Sequence, residues 1–234
     1  ALSEAACRAA DFILERLRTP QGGLYRRYRE GEAAISGFLE DYAFLVWGLI
    51  ELYEATFQVR YLEEALRLNQ VMIKFFGDDE KGGFYFSGRD NEALIAHPKE
   101  LYDGATPSGN SVAALNLLRL ARMTGKSDLE EKTERLVQAF SAVVAEAPMA
   151  FTQFLNFLDF YLGPGQEIIL AGDPAWETSR AMAAAIQQKF HPNKILLFRA
   201  EDDTGEKLSA LCPFVKEMKS IGRKATAYLC EGYS

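Results

Sequence analysis

Two aspartates stand at matching places in this 234-residue chain. Asp41 lies in Gly37-Phe38-Leu39-Glu40-Asp41-Tyr42, and Asp103 in Tyr102-Asp103-Gly104-Ala105-Thr106-Pro107-Ser108-Gly109-Asn110-Ser111. A pair of carboxylates is the equipment of glycoside hydrolysis, one serving as general acid and the other as base or nucleophile. Around them Glu40, Tyr42, Ser108 and Asn110 offer groups suited to sugar hydroxyls or anions. Helix N-termini at the same places would add free N–H donors. His97, in the loop ahead of the second stretch, is a candidate general base. The candidate site is thus Asp41, Asp103 and His97 for catalysis, with Glu40, Tyr42, Ser108 and Asn110 for substrate binding. Taken singly, each Asp, Ser or Asn here is better explained as an N-cap, and Pro107 as a device for starting a helix. Their recurrence at one shared position is what points to a site.

Other chemistries find less support. No Cys/His cluster has metal-ligand spacing and no Gly-x-Ser-x-Gly elbow occurs, so neither metal nor cofactor is expected. Gly172-Asp173-Pro174 lacks the three glycines of a dinucleotide fingerprint. Cys7 falls on the core side of an amphipathic helix, Cys212 precedes Pro213 in a loop, and Cys230 ends a strand with no partner thiol in range. So few cysteines, odd in number, fit a reducing cytoplasm. His191-Pro192 closes a helix and reads as structural.

The elements that must position these residues repeat. Gly22-Gly23-Leu24-Tyr25 recurs sixty residues later as Gly82-Gly83-Phe84-Tyr85, and Glu32-Ala33-Ala34-Ile35 as Glu92-Ala93-Leu94-Ile95. Leu2-Ser3-Glu4, Leu62-Glu63-Glu64 and Leu129-Glu130-Glu131 follow the same series, interrupted by an insertion around Pro98 to Thr106. In each unit a Gly-Gly turn leads into a short aromatic stretch that suits a β-hairpin. An apolar helix follows (38–57, then 108–123), and after it an amphipathic one (61–76, then 128–144). The first of each pair has no polar face and is expected to be covered on all sides. A third apolar helix spans 150–162. The expected architecture is mainly α: a partial α/α toroid of three outer and three inner helices with short β-hairpins over residues 1–163. A small βαβ-type α/β tail follows over 164–234. In that tail strands are expected at 167–171, 194–198 and 225–230, with a helix at 176–190 introduced by a turn and N-cap at Gly172-Asp173-Pro174.

Hydrophobic residues make up 48% and charged residues 25%, which suits a globular chain with a sizeable core. The net charge is −7 and no basic block occurs. No nucleic-acid or anionic-membrane partner is therefore expected. No apolar run reaches the roughly 18 residues needed to span a bilayer.

The stretches Glu40-Asp41-Tyr42-Ala43-Phe44-Leu45-Val46-Trp47-Gly48-Leu49-Ile50 and Pro98-Lys99-Glu100-Leu101-Tyr102-Asp103-Gly104-Ala105-Thr106-Pro107-Ser108-Gly109-Asn110 carry a resemblance that extends over essentially the whole chain. They resemble the spermatogenesis-associated-protein-20-like, thioredoxin-domain-containing family of bacteria and animals. Gln166-Glu167-Ile168-Ile169 and Ala225-Thr226-Ala227-Tyr228-Leu229-Cys230-Glu231 fit its C-terminus. The resemblance implies a thioredoxin-like domain followed by a six-hairpin toroid similar to sugar epimerases and glycosidases, with this chain as the C-terminal part. Its partners would be the missing N-terminal half of the toroid and the thioredoxin-like domain of the parent chain. Two functional expectations follow: binding or conversion of a carbohydrate at the toroid mouth, or a non-catalytic scaffold serving the thioredoxin-like domain. A toroid cut at Ala1 would also leave Phe44, Trp47 and Phe151 bare, so the isolated chain is expected to form a two-fold homodimer.

Overall fold

The computed structural model describes residues 2–89 and 97–231, which divide into two compact units, Ala1–Leu118 with Asp128–Phe157 and Arg119–Ser127 with Leu158–Ser234. The marker Glu92-Ala93-Leu94-Ile95 lies outside the described residues.

In the first unit helix α1 (Leu2–Arg16) packs against α2 (Leu39–Thr56), and α2 against α3 (Val59–Phe76). Between α1 and α2 the chain folds into a hairpin of β1 (Tyr25–Arg29) and β2 (Glu32–Ser36), paired antiparallel with Tyr25 opposite Ser36 and Arg29 opposite Glu32. Its two-residue loop, Glu30-Gly31, has positive φ at both positions, the geometry that matches the twist of paired strands. Helices α4 (Gly109–Thr124) and α5 (Ser127–Glu146) follow, and α6 (Thr152–Leu162) begins after a short 3₁₀ turn at Pro148–Ala150. All five helices foreseen over residues 38–162 form within two residues of the expected bounds. The core of this unit is drawn from Tyr42, Val46, Leu49, Ile50 and Tyr53 of α2 and Tyr61, Leu62, Leu68, Met72 and Phe76 of α3, all buried.

Three expectations need correction here. Phe84-Tyr85-Phe86 forms no strand; Phe84 makes only an isolated bridge with Gly77. The backbone groups that a ladder would use on Phe84 are taken by the Asn110 side chain. Helix α2 is not covered all round, since Gly48, Glu51 and Ala55 are exposed and Phe44, Leu45 and Trp47 half-exposed. Phe151, expected to be bare, is buried.

In the second unit β3 (Gln166–Gly172) and β4 (Lys194–Ala200) run parallel around α7 (Glu177–Gln187), as the strand–helix–strand pattern requires. The last strand, β5 (Thr226–Glu231), pairs antiparallel with β3, giving the order β4-β3-β5. Helix α7 begins later than expected. Asp173 makes a turn, accepting from Ala175 N–H at 2.7 Å, and Trp176 rather than Asp173 occupies the cap position. Helix α8 (Asp203–Leu211), which periodicity did not reveal, is capped by Asp202, whose carboxylate accepts from Thr204 N–H at 2.9 Å and Gly205 N–H at 3.3 Å. Arg122 binds its surroundings in three ways. It stacks 4.4 Å from the Phe160 ring, donates to the Phe160 carbonyl at 3.1 Å and lies 3.6 Å from the buried Glu167 carboxylate. Cys212 is fully buried, which pushes its thiol up to about 12. Among the described residues no helix is long and apolar enough to cross a membrane.

Candidate functional site

The two Gly-Gly turns close with the same kinds of bond, the second spanning one residue more than the first. Gly22 N–H donates to the Thr19 carbonyl at 2.9 Å, and Gly82 N–H to the Asp78 carbonyl at 3.0 Å. Tyr25 N–H then reaches Leu17 O, and Tyr85 N–H reaches Phe76 O, both at 2.8 Å. The residue after the glycines is fixed by the first turn of the next inner helix. Leu24 N–H donates to Tyr42 Oη at 2.8 Å, and Phe84 N–H to Asn110 Oδ1 at 2.8 Å. Tyr42 and Asn110 are therefore structural equivalents. They differ at the carbonyl. Leu24 O accepts from Gly37 N–H at 2.8 Å, where the hairpin returns. Phe84 O accepts instead from Asn110 Nδ2 at 2.9 Å, and the same amide reaches Glu100 O at 2.8 Å. The second glycine is what allows this approach: a Cβ on Gly23 would stand 2.6 Å from Tyr42 Oη, and one on Gly83 would stand 2.7 Å from the Phe140 ring.

A cation clamps the first glycine's carbonyl in both turns. Arg18 Nη1 donates to Gly22 O at 2.9 Å and is paired with Glu64; Lys99 Nζ donates to Gly82 O at 2.6 Å and is paired with Asp78 at 2.6 Å. Asp78 is also an acceptor for Tyr85 Oη and for the N–H groups of Glu80 and Lys81. The Lys99 ammonium, followed by these donors, holds the Asp78 carboxyl well below the usual range.

Asp103 is a buried knot. Its Oδ1 accepts from Ser108 N–H at 2.8 Å; its Oδ2 accepts from Gln153 N–H at 2.8 Å, Phe154 N–H at 3.1 Å and Ser111 Oγ at 3.1 Å. One carboxylate thereby serves the starts of both α4 and α6, where N–H groups lack helical partners and negative charge is favoured. Ser108 completes the first of these ends, accepting from Ser111 N–H at 3.1 Å.

Glu40 and Asp41 face a different environment. Asp41 Oδ2 reaches back to Phe38 N–H at 2.8 Å, half of a capping box, and lies 3.8 Å from Arg26 Nη1. Arg26 in turn sits 4.9 Å from the Phe38 ring centre. Glu40 is half-buried and makes no hydrogen bond among the described residues. Burial, with the repulsion of Glu100 and Asp41 and against the pull of Arg26, holds its carboxyl above the usual range. Both acids line a cleft of about 460 Å³ with Ile13 of α1, Leu17 just after it, Leu24, Tyr25 and Arg26 of the hairpin arm, and Phe44 and Leu45 of α2.

Of the seven candidate residues, only Glu40 and Asp41 share this cleft. Tyr42, Ser108 and Asn110 are buried with their polar atoms on backbone or neighbouring hydroxyl groups, and Asp103 shares no hydrogen-bond partner with Asp41. His97 is exposed, 3.3 Å from Ser87 Oγ and edge-on to Tyr85. Arg26, Phe44 and Leu45 were not foreseen as site residues. An alternating Tyr25-Arg26-Arg27-Tyr28 strand beside an acidic helix start was the available signal. Among the described residues no group of three His, Cys, Asp or Glu side chains is placed to hold a metal ion.

Fold and site define a mainly α chain with two small sheets, its two Gly-Gly turns locked by side chains at the starts of α2 and α4. No family model matches it. Over 196 residues, 83% of this chain, it is 38% identical to spermatogenesis-associated protein 20 of Homo sapiens, and 37% identical to that of Rattus norvegicus. It is 30% identical over 206 residues to an uncharacterized protein of Caenorhabditis elegans. The chain spans about a quarter of the length of the curated relatives it matches.

Proposed function

We propose that this chain is a non-catalytic scaffold within a longer protein, built of helical hairpins that continue in the parent into an α/α toroid and serve its thioredoxin-like domain. The observation that carries this reading is Asp103, the more buried of the two carboxylates in the supposed acid–base pair. All four of its hydrogen bonds come from donors at the starts of α4 and α6. A carboxylate so engaged holds two helix starts in place. Tyr42, Ser108 and Asn110 support the same reading. The half-exposed Trp47 and exposed Gly48 of α2 mark a face that neighbouring helices of the parent would cover.

The carbohydrate reading makes the opposite prediction, so one experiment separates the two. The chain is titrated by calorimetry with a panel of neutral and acidic mono- and disaccharides, alongside Asp41→Asn and Asp103→Asn. The scaffold reading expects no saturable sugar binding below millimolar concentration, and an unfolding midpoint lowered by Asp103→Asn. Saturable sugar binding that Asp41→Asn or Asp103→Asn abolishes in a chain that stays folded would overturn it.

A further inference from the structure

The cleft between α1, the hairpin arm and α2 has an unmatched charge. Its volume of about 460 Å³ is within the range of small-molecule sites, roughly 300–1,000 Å³. Most of its wall is apolar or aromatic: Ile13, Leu17, Leu24, Phe44 and Leu45, with Tyr25 at one side. Three charged groups line it. Arg26 and Asp41 answer each other at 3.8 Å, and Asp41 also has the Phe38 N–H. Glu40 is left over. The charged groups that act on it are Glu100 from the segment before α4, Asp41 from its own helix and Arg26 from β1; α1 contributes only Ile13 to the cleft, and Leu17 follows it. Two acids and one already engaged base make the cleft complementary to positive charge.

We propose that this cleft binds a small organic cation, a primary ammonium or guanidinium on an apolar body, with the cationic head on Glu40 and the body against Phe44, Leu45 and Ile13. The head supplies the counter-charge that Glu40 lacks, and the apolar walls supply the area that water would otherwise wet. An anionic ligand meets Glu40 and Asp41 and is repelled. A neutral one of the same shape gains the walls but leaves the carboxylate unanswered. The proposal does not depend on the scaffold reading, since a ligand site of this kind needs no catalytic group.

Bound cation and proton compete for Glu40. Its carboxyl sits above the usual range for lack of a partner, so affinity falls with pH at a less acidic point than an ordinary glutamate would give.

Three probes with one body test it: phenethylammonium, 2-phenylethanol and phenylacetate, titrated by calorimetry into the whole chain at pH 7 and again at pH 4.5. Saturable binding of phenethylammonium is expected, with 2-phenylethanol and phenylacetate weaker by roughly ten- to hundredfold, the worth of a hydrogen bond to a charged group. Glu40→Gln should lose a similar factor. Glu40 makes no hydrogen bond among the described residues, so this variant keeps its fold, which its circular dichroism checks. Phe44→Ala weakens phenethylammonium and 2-phenylethanol alike. Equal binding of the ammonium and the alcohol, or full phenethylammonium affinity in folded Glu40→Gln, would overturn the proposal, as would no binding of any probe.

Discussion

Replacing Asp103 by asparagine tests whether that residue holds helices or handles a substrate. The two side chains have nearly the same shape, and in a catalytic acid the change removes activity while leaving the fold. Here the surroundings are all donors: three backbone N–H groups, of Ser108, Gln153 and Phe154, and the Ser111 hydroxyl. Asparagine keeps one acceptor oxygen. Its NH₂ group then faces either the α4 end or the α6 end, with donor against donor. At least one helix start loses its cap, about 1 kcal/mol, and one or two buried N–H groups are left unsatisfied at about 1–3 kcal/mol each. The sum is about 3 kcal/mol, with Asp103→Ala a little worse. For a chain of this size that lowers the unfolding midpoint by roughly 6–12 °C, at about 2–4 °C per kcal/mol. Thermal unfolding followed by circular dichroism at 222 nm measures it, with the exposed neighbour Tyr102→Ala as a control expected to change little. An Asp103→Asn midpoint within about 2 °C of the parent would refute the capping role.

Gly23→Ala should cost about 1–3 kcal/mol by pressing a methyl group on Tyr42 Oη, and less in a Tyr42→Phe background, so urea unfolding of the four-member cycle should give a favourable coupling. Additive costs would place the clash elsewhere. Asp78, held below the usual carboxylate range mainly by Lys99, contributes stability that is fully present above its unfolded-state pKa, near 4, and lost as pH falls below it. Urea midpoints between pH 6 and pH 2.5 should therefore fall more steeply for the parent than for Asp78→Asn; parallel curves would contradict the pairing. Cys212, buried and raised to about 12, should resist alkylation in the native chain and react only on unfolding. Mass mapping after brief iodoacetamide treatment would show Cys212 modified early if its burial were wrong.

The helices were legible because their apolar residues recur at helical spacing and because two independent markers agreed on one repeat. Residues 167–171 and 194–198 were legible as strands because short β-branched and apolar runs between turn residues have few other uses. Helix α8 was missed for a physical reason: with nine residues and only Leu208 and Leu211 as apolar anchors, it shows little periodicity, and its one clear signal was the cap at Asp202. The site was less legible than the fold. Glu40, Asp41 and Tyr42 lie in the first turn of α2, Ser108 and Asn110 at the start of α4, and Asp103 in the loop ahead of it, but a residue type does not reveal which way a polar atom turns. The Tyr42 hydroxyl turns to Leu24 and the Asn110 amide to Phe84, whereas the Glu40 carboxylate lines a cleft. Arg26 went unnoticed because its importance comes from a neighbour, Asp41, fifteen positions away.

The contrast between Tyr42 and Asn110 bears on what closes each turn. Where the hairpin returns, Gly37 supplies the N–H for the Leu24 carbonyl, and the Tyr42 hydroxyl needs only to accept from Leu24 N–H to finish the turn. At the second turn the carboxamide both accepts from and donates to Phe84, standing in for the strand that would otherwise come back. Closure of the Phe84 backbone there rests on a side chain of α4. The first turn is thus tied off by its own hairpin, and the second by the start of the helix that follows it.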